Sequence, residues 1–200
     1  MVVKRNPDRT RQRILEAAFA EIYRNGFRSA SVDQILSDTG LTKGALYHHF
    51  PNKAALGYAV VEEIIGGHIH QTWIQPLADS VDPITALMTQ LRSMTKEQIA
   101  QVCDCGCPLN NLAQEMSSVD DEFRKRIAAV FAMWREGIAE SLERGRTTGT
   151  VRPDADCRQA ASFFVAGVEG ATGLAKNARD PEVLSSCIGA MSVYLESLRP

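Results

Sequence analysis

A short polar segment, residues 42–50, carries the side chains with the clearest binding chemistry in this 200-residue sequence. In a helix of two turns, Leu46 and Phe50 would be the apolar anchors that face a core. Four residues would then face away from that core: Lys43, Gly44, Tyr47 and His48. The lysine and the Thr42 hydroxyl can donate hydrogen bonds to phosphates, and the glycine lets another backbone approach closely. The tyrosine and histidine rings provide hydrogen-bond donors and flat faces. The alternative is that the tyrosine packs and the histidine is merely solvated.

The cysteines are a second group of residues with possible binding chemistry. Cys103, Cys105 and Cys107 are separated from one another by one residue each. Five cysteines are an odd number in a chain without an export signal, so we expect thiols rather than disulfides. Three thiolates could hold a soft metal, but this is not the spacing of a structural zinc site. The upstream pair, His68 and His70, would point to different sides of a helix. We therefore expect no resident metal and no cofactor.

Helix signals surround the polar segment and explain how it would be positioned. Ser31 and Gln34 fit a capping box that starts a short helix, and Gly40 interrupts that helix after about two turns. Thr42 is placed to cap the next helix, and Phe50-Pro51 ends it. Helix, glycine-containing turn and helix together are typical of a helix-turn-helix.

The rest of the chain has helical periodicity with no sustained alternation, which predicts an all-α fold of about nine helices. The first helix should start near Asp8 and end at Asn25-Gly26, and Asn52 should cap a long fourth helix. One helix should open at Asp82-Pro83 and carry apolar residues as far as Ile99. Two closing helices are predicted over 154–177 and 181–198, joined by a short connection that makes them antiparallel neighbours.

Charge is distributed unequally along the chain. Residues 1–55 contain nine Lys or Arg and five Asp or Glu, whereas the remainder contains thirteen and nineteen. The N-terminal head is therefore at +4 and the body at −6, which favours an anionic partner for the head alone. Arg9, Arg11 and Arg13 could also touch such a partner, or could form a solvated face.

Targeting and catalytic signals are missing from the sequence. No long uncharged apolar run occurs, and the basic residues 1–6 lack the apolar stretch of a signal peptide, so we expect a cytoplasmic protein with no membrane partner. There is no glycine-rich phosphate loop, nucleophile elbow or zinc-binding His-Glu-x-x-His helix. We therefore expect a binding protein rather than an enzyme.

A resemblance to a known family rests on Ser31 to Leu56. Thirteen positions in this stretch resemble the DNA-binding signature of the TetR family of repressors, and they are Ile35, Gly40, Leu41, Thr42, Lys43, Gly44, Leu46, Tyr47, His48, Phe50, Pro51, Lys53 and Leu56. The resemblance implies that the helix between Thr42 and Phe50 lies in the major groove of double-stranded operator DNA. The implied DNA-binding residues are Ser31, Thr42, Lys43, Gly44, Ala45, Tyr47, His48 and Lys53. It also implies a DNA-binding domain over 1–54 and an effector-binding and dimerisation domain over 55–200.

The last two helices carry two rows that favour a homodimer. One row is heptad-like and the other consists of small residues that let a neighbouring helix come close. The predicted interface residues are Ala160, Gly167, Ala171, Leu184, Ile188, Met191 and Leu195. In the family, such helices form a four-helix bundle across a two-fold axis. The alternative is that both rows are buried inside one subunit.

An unidentified small-molecule effector is expected in the body, where Met and aromatic side chains offer adaptable walls. The candidates are Trp73, Met88, Leu91, Cys107, Leu112, Met116, Phe131, Trp134 and Phe164. Residues 106–113, Gly-Cys-Pro-Leu-Asn-Asn-Leu-Ala, resemble a stretch in a branch of the family that includes electrophile-responsive repressors. If a helix begins at Pro108, its positive end favours a reactive thiolate at Cys107. The alternative is a buried thiol that only packs.

Taken together, these features predict a dimeric repressor that is released from a palindromic operator by a small apolar or electrophilic effector. Redox or metal sensing through Cys107 with Cys103 and Cys105 is one alternative. A helical protein-binding module without DNA contact is another, and activation in place of repression also stays open.

Overall fold

A computed structural model describes residues 7–200, and between its turns this part of the chain is helical throughout, without a strand. The helices are α1 (Pro7–Asn25), α2 (Val32–Thr39), α3 (Lys43–His49), α4 (residues 53–78), α5 (Pro83–Arg92), α6 (Lys96–Cys105), α7 (Pro108–Met116), α8 (Asp121–Thr148), α9 (Cys157–Ala178) and α10 (Pro181–Glu196). The predicted all-α fold is confirmed. Residues 1–6, which include the basic N-terminal stretch, lie outside the described residues.

Helix α4 is one long run with two changes of pitch. It consists of Lys53–Ala59, a π-helical segment Val60–Ile65, Gly66–Ile69, a second π-helical segment His70–Ile74, and Gln75–Ala78. The Asn52 side chain accepts a hydrogen bond of 2.8 Å from the Ala55 amide, so Asn52 caps the run as predicted. No helix in residues 7–200 is long and apolar enough to cross a membrane.

The single helix predicted from Asp82 to Ile99 is wrong, because the chain breaks at Ser93–Thr95 into α5 and α6. Thr95 and Gln98 form a capping box in which each side chain accepts a hydrogen bond from the other residue's backbone amide, at 3.3 and 2.8 Å. Apolar periodicity continues across the break, which is why the pattern concealed it. The predicted start at Asp82-Pro83 is present.

Two compact units make up the structure. The first contains α1, α2, α3 and the chain as far as Gly67, together with Asn111–Ala128. The second contains His68–Asn110 and Ala129–Pro200. These units differ from the division at residue 54 expected on functional grounds, since Asn111–Ala128 packs with the N-terminal unit.

The core of the first unit closes around an aromatic group. Phe27 and Phe123 meet edge to face with ring centroids 4.5 Å apart, and Tyr58 packs against Phe123 at 4.8 Å. Gly57 of α4 lies directly beneath these rings, because a methyl group placed on it would come within 2.5 Å of Phe27 Cε2 and 2.6 Å of Phe123 Cζ. The helix therefore needs a residue without a side chain at this point.

Gly57→Ala should destabilise the protein by about 1–3 kcal/mol, because the added methyl group must displace two buried rings. Gly67→Ala is the matched control, since nothing lies within 4 Å of a methyl group at Gly67 and alanine favours a helix. Urea unfolding measures both variants. Equal stability of Gly57→Ala and the natural protein would contradict the packing described.

Candidate nucleic-acid interface and regulatory sites

Helix α3 presents its polar side chains as the pattern predicts. The Thr42 hydroxyl caps it by accepting a hydrogen bond of 3.2 Å from the Ala45 amide. Leu46 is fully buried and Phe50 is 3% exposed, so the apolar side of this short helix is held by the core. The opposite side is exposed and consists of Lys43, Gly44, Tyr47 and His48, with Tyr47 at 47% exposure. This face has no core contact to satisfy and is available to a partner.

The turn before α3 is fixed by three local interactions. Gly40 adopts a left-handed φ of 64°, which suits glycine, and its amide donates to the Ser37 carbonyl. The buried Thr39 hydroxyl donates to the carbonyl oxygens of α2 at 3.1 Å. Arg13 donates to the Thr39 carbonyl at 2.8 Å. The angle between α2 and α3 is therefore set by the head itself.

The capping box predicted at Ser31 is only half present. The Ser31 hydroxyl accepts from the Gln34 amide at 3.3 Å, as expected. The Gln34 side chain, however, donates to Asp38 at 2.9 Å, and the Ser31 amide donates instead to Glu21 at 3.0 Å. Glu21 is buried in α1, where its carboxylate can reach the start of α2. Sequence reasoning missed this long-range cap because Glu21 lies ten residues upstream.

Lys43 is paired within the head. Its Nζ lies 2.7 Å from an Asp33 carboxylate oxygen, and both side chains are more than half exposed. The hydrogen bond to Asp33 raises the pKa of Lys43, so the lysine is fully charged at neutral pH. An exposed pair of this kind is weak, and a phosphate can take the place of Asp33.

Three further basic side chains make contacts within the first unit: Lys53, Arg11 and Arg13. Lys53 donates to the Arg28 carbonyl at 3.1 Å and lies 5.0 Å from the Phe27 ring centroid. Arg11 makes two hydrogen bonds of 2.6 Å to Glu63 and lies 5.1 Å over the ring of Phe50. Arg11 and Arg13 therefore have partners within the first unit, and their contact with an anionic partner stays a prediction. Arg9 is exposed.

Glu115 of α7 holds the loop between α1 and α2, and no sequence signal pointed to it. Its two carboxylate oxygens accept hydrogen bonds of 2.8 Å from the amides of Phe27 and Arg28. Because Lys53 bonds the Arg28 carbonyl, both sides of this loop backbone are fixed. The contact explains why Asn111–Ala128 belongs to the same compact unit as the head.

Three of the predicted effector residues come together in the second unit. Trp73 lies 5.5 Å from Trp134 and 5.5 Å from Phe164, measured between ring centroids. Trp134 and Phe164 are buried, and Trp134 Nε1 has no hydrogen-bond partner. Trp73 is half-buried. A buried indole N–H without an acceptor is costly, which marks this cluster as a place where a polar ligand atom could be accommodated.

The remaining effector candidates are distributed differently. Leu91, Leu112 and Met116 are buried core residues, and Leu112 and Met116 belong to the first unit. Met88 and Phe131 are half-buried in the second unit. An open groove of about 710 Å³ also lies on the second unit, lined by Arg135, Glu136, Ala139, Glu140, Glu143, Arg144, Arg158 and Ser162. None of the predicted effector residues lines it.

At Cys107 the structure favours the alternative of a packed thiol over a reactive thiolate. Its thiol donates a hydrogen bond of 3.2 Å to Oε1 of Glu169. Burial and the neighbouring carboxylate raise the pKa of Cys107 well above that of an ordinary thiol, although the amides of Leu109 and Asn110 act in the opposite direction. Helix α7 does begin at Pro108, but its positive end is outweighed by this environment.

The cysteine triplet does not converge on one point. The Cys103 side chain packs with Ala171, Ala175 and Leu184, whereas Cys107 bonds Glu169. Within residues 7–200, no group of three or more His, Cys, Asp or Glu has a geometry that could hold a metal ion. None of the five cysteines, which all lie within the described residues, forms a disulfide.

The residues predicted for the dimer interface are mostly buried within one chain. Ala160, Ala171, Leu184, Met191 and Leu195 are at most 7% exposed in the single subunit. A methyl group on Gly167 would lie 3.2 Å from Met191, and Ile188 is half-buried against the cluster around Leu184. The two rows therefore cover each other between α9 and α10, which corrects the predicted interface. The same heptad-like spacing suits packing within one chain and packing between two chains, so the sequence alone could not distinguish these two arrangements.

The outer side of α9 and α10 carries exposed apolar residues instead. Phe163 is 53% exposed, Leu174 is 57% exposed and Val193 is 72% exposed. Phe163 and Leu174 are eleven residues apart in one helix and therefore share a face. The Phe163 ring packs at 4.5 Å against Tyr194, the neighbour of Val193. At Gly170 and Gly189 nothing lies within 4 Å of an added methyl group, so this face is open to a close approach.

Comparison with known proteins gives consistent matches for both parts of the chain. The model of bacterial regulatory proteins of the tetR family matches residues 14–60, and the model of the tetracyclin repressor-like C-terminal domain matches residues 80–191. The chain is 29% identical over 181 residues to the transcriptional regulator AcuR of Cereibacter sphaeroides, which covers 88% of this chain and 80% of that protein. It is 27% identical over 191 residues to the transcriptional repressor DhaR of a Mycobacterium species, covering 95% and 92%.

A solved structure agrees with the fold. A TetR-family regulator from Cytophaga hutchinsonii superposes with a TM-score of 0.84 at 23% identity, covering 96% of each chain. At this identity the likeness concerns the fold alone. The matched families and the named relatives are regulators of transcription and not enzymes, as the sequence predicts.

Two single substitutions in the Lys43–Asp33 pair test whether the charge on α3 contributes to DNA binding. Lys43→Ala should weaken binding to every DNA duplex, because a phosphate contact carries no sequence information. Asp33→Asn should strengthen binding by a factor of about two to five, since it frees Lys43 and removes a negative charge near the phosphates. Fluorescence anisotropy with specific and random duplexes measures both changes. Asp33→Asn binding more weakly than the natural protein would contradict this assignment.

Proposed function

Since the chain belongs to the tetR family of bacterial regulatory proteins and is a DNA-binding transcriptional regulator, we propose that it is a dimeric repressor released from a palindromic operator by a small molecule. The observation that carries the proposal is the exposed face of α3, whose polar side chains have no role in the core. The proposed division is a DNA-binding head over 1–54 and a regulatory and dimerisation body over 55–200.

Helix α3 is proposed to enter the major groove. Lys43 and the Thr42 hydroxyl would meet phosphates, and Gly44 would let the helix backbone approach the DNA closely. Tyr47 and His48 would reach base edges, where hydrogen bonds and ring contacts discriminate between base pairs. Ser31, Ala45 and Lys53 complete the proposed contact set. Of these, Lys53 is held by the Arg28 carbonyl, so it would support the phosphate contact from a fixed position.

Dimerisation is proposed through the exposed outer side of α9 and α10 that carries Phe163, Leu174 and Val193. Exposed apolar side chains on neighbouring helices are a liability unless another surface covers them. A second copy related by a two-fold axis presents the same surface, and the two heads would then be related by the same axis. This symmetry is the reason to propose a palindromic operator.

Repression is the proposed outcome of operator binding, and a related protein, DhaR, bears the name of a transcriptional repressor. The effector is proposed to bind reversibly at the Trp73, Trp134 and Phe164 cluster, where an unpaired indole N–H lies among aromatic walls. Covalent or metal sensing at Cys107 is not favoured, because its thiol is bonded to Glu169 and its pKa is raised.

A route from effector to DNA is proposed through α7. Cys107, bonded to Glu169, directly precedes this helix, and Glu115 near its end holds the amides of Phe27 and Arg28. A shift of α7 along its axis would act on the loop between α1 and α2. The effector would then favour a state of the head that binds the operator less well, which is the requirement for release.

Footprinting on the region upstream of the chain's own coding sequence tests operator binding. We expect protection of a two-fold symmetric site, with affinity that falls steeply between about 50 and 200 mM salt. Tyr47→Ala or His48→Ala should relax the preference at particular base pairs by about 1–3 kcal/mol each, because base-edge contacts are lost. His70→Ala, an exposed histidine of α4, is the matched control and should leave the footprint unchanged. A protein-binding module would give no protection with any of these proteins.

Introduction of a charge on the proposed interface tests the dimer. Val193→Arg should shift the protein towards a monomer, because two unpaired guanidinium groups would be buried close together at the two-fold axis. Val81→Arg is the control, since Val81 is an exposed valine of similar accessibility at 79% and lies outside α9 and α10. Light scattering at micromolar concentration reports the mass. A Val193→Arg protein that stays dimeric would contradict the proposed interface.

A further inference from the structure

Glu169 has a buried carboxyl group, and the proposed function uses only one of its two oxygens. It lies in the middle of α9, and the residue is 8% exposed. Its Oε1 accepts the hydrogen bond of 3.2 Å from the Cys107 thiol, but its Oε2 is buried and has no hydrogen-bond partner. A carboxylate oxygen without a donor is expensive to bury, so a protein that keeps one there needs a reason.

Within residues 7–200, no charged side chain shifts the pKa of this group. The pKa of Glu169 is raised to about 7 by burial, and the single polar side chain that opposes this shift is the Cys107 thiol. On the helices packed against α9, Cys103 of α6 and Cys187 of α10 belong to the cluster around Ala171 and Ala175, and Tyr194 of α10 packs against Phe163. Lys96, the cation of α6, is exposed and does not shift the pKa of Glu169. Thiols and a phenol carry no positive charge, so these packed groups cannot balance a carboxylate.

The buried side chains on the neighbouring turns of α9 do not bond the Glu169 carboxylate. The nearest turns of α9 on the same side carry Val165 and Thr172, which are both buried. The Thr172 hydroxyl donates to the Glu169 backbone carbonyl at 3.0 Å and is therefore not available to the carboxylate. The unpartnered Oε2 is thus the polar atom of this position that a ligand could satisfy.

We infer that Glu169, with Cys107, forms a recognition site for a small apolar molecule that carries a positively charged amino group. The ammonium would donate to Oε2 and supply the missing positive charge, while the Cys107 thiol keeps Oε1 occupied and fixes the orientation of the carboxylate. The apolar part of the molecule would pack among the hydrophobic side chains. This inference goes beyond the proposed function, because it adds a second ligand position, at Glu169, to the effector cluster proposed at Trp73, Trp134 and Phe164.

Binding of an ammonium at this site is coupled to a proton. When Glu169 is protonated in the free protein, an ammonium ligand binds only after the carboxyl proton leaves to solvent. Affinity should therefore be highest above pH 7, where Glu169 is already a carboxylate, and fall by up to about tenfold per unit as the pH decreases below the pKa. The amine itself, with a pKa near that of lysine at about 10.4, stays charged across this range.

The experiment compares 4-phenylbutylamine with 4-phenylbutanol, which share an apolar part and differ in charge. Isothermal titration of the natural full-length protein at about pH 8 should give at least about tenfold tighter binding of the amine, since a charge-assisted hydrogen bond is lost with the alcohol. At about pH 7, amine binding should release a fraction of a proton per subunit, as measured in buffers of different ionisation enthalpy. The alcohol should show no pH dependence and no proton release.

Glu169→Gln has the same shape without the charge, and it should bind amine and alcohol equally and release no proton. Glu136→Gln, which removes an exposed carboxylate of the same unit, is the control and should behave like the natural protein. If Glu169→Gln fails to fold, the comparison of amine and alcohol binding by the natural protein still tests the inference. Equal binding of the pair by the natural protein, binding of neither, or an amine preference that survives in folded Glu169→Gln would overturn the inference.

Operator binding by the same preparations separates this inference from the proposed function. If the natural protein protects its operator but does not prefer the amine, the proposed repressor function is retained and the ammonium site is rejected. A natural protein that prefers the amine through Glu169 but protects no operator supports the ammonium site and rejects the proposed repressor.

Discussion

The anchoring of a seven-residue helix is the constraint on which this structure depends. A helix as short as α3 is unstable by itself, so Leu46 and Phe50 must be buried for Lys43, Tyr47 and His48 to be presented at all. Most of the head serves this requirement. Arg13 fixes the turn through Thr39, Arg11 covers Phe50, and Glu21 caps the preceding helix. Basic and acidic residues that looked like a solvated surface are thus used to set the position of one exposed face.

Helix α9 has a comparable role in the second unit, where its different sides serve different purposes. Its inner rows pack against α6 and α10 around Ala171 and Ala175. Phe164 joins the tryptophan cluster, Glu169 meets Cys107, and Phe163 and Leu174 face outward. A ligand that moves this helix would therefore affect the aromatic cluster and the proposed dimer face together, because one rigid element carries both.

Local signals in the sequence were sufficient for much of the fold, and non-local ones were not. The caps at Thr42, Asn52 and Asp82 depend on neighbours within three residues, and all three are present. The break at Ser93–Thr95 was missed because the apolar spacing continues through it. The partner of the Ser31 amide could not be predicted, since it is Glu21, a residue of another helix.

The candidate sites show the same division more strongly. The exposed face of α3 follows from helical spacing alone, so its residues were identified correctly as outward-facing. Whether the Leu184 row packs inside one chain or between two chains depends on which helices meet, and spacing carries no such information. The state of Cys107 depends on Glu169, sixty-two residues away, and the position of Cys107 before α7 suggested the opposite chemistry.

Site-specific photo-crosslinking tests the central claim most directly, namely that the exposed face of α3 lies against DNA. A benzophenone amino acid is introduced at Tyr47 in one protein and at Val119, an exposed residue of the same compact unit, in another. Illumination with the chain's own upstream DNA should crosslink the protein labelled at position 47 to bases within the protected site, and leave the protein labelled at position 119 unlinked. Crosslinks from position 119 alone, or from neither position although the DNA is bound, would contradict the account.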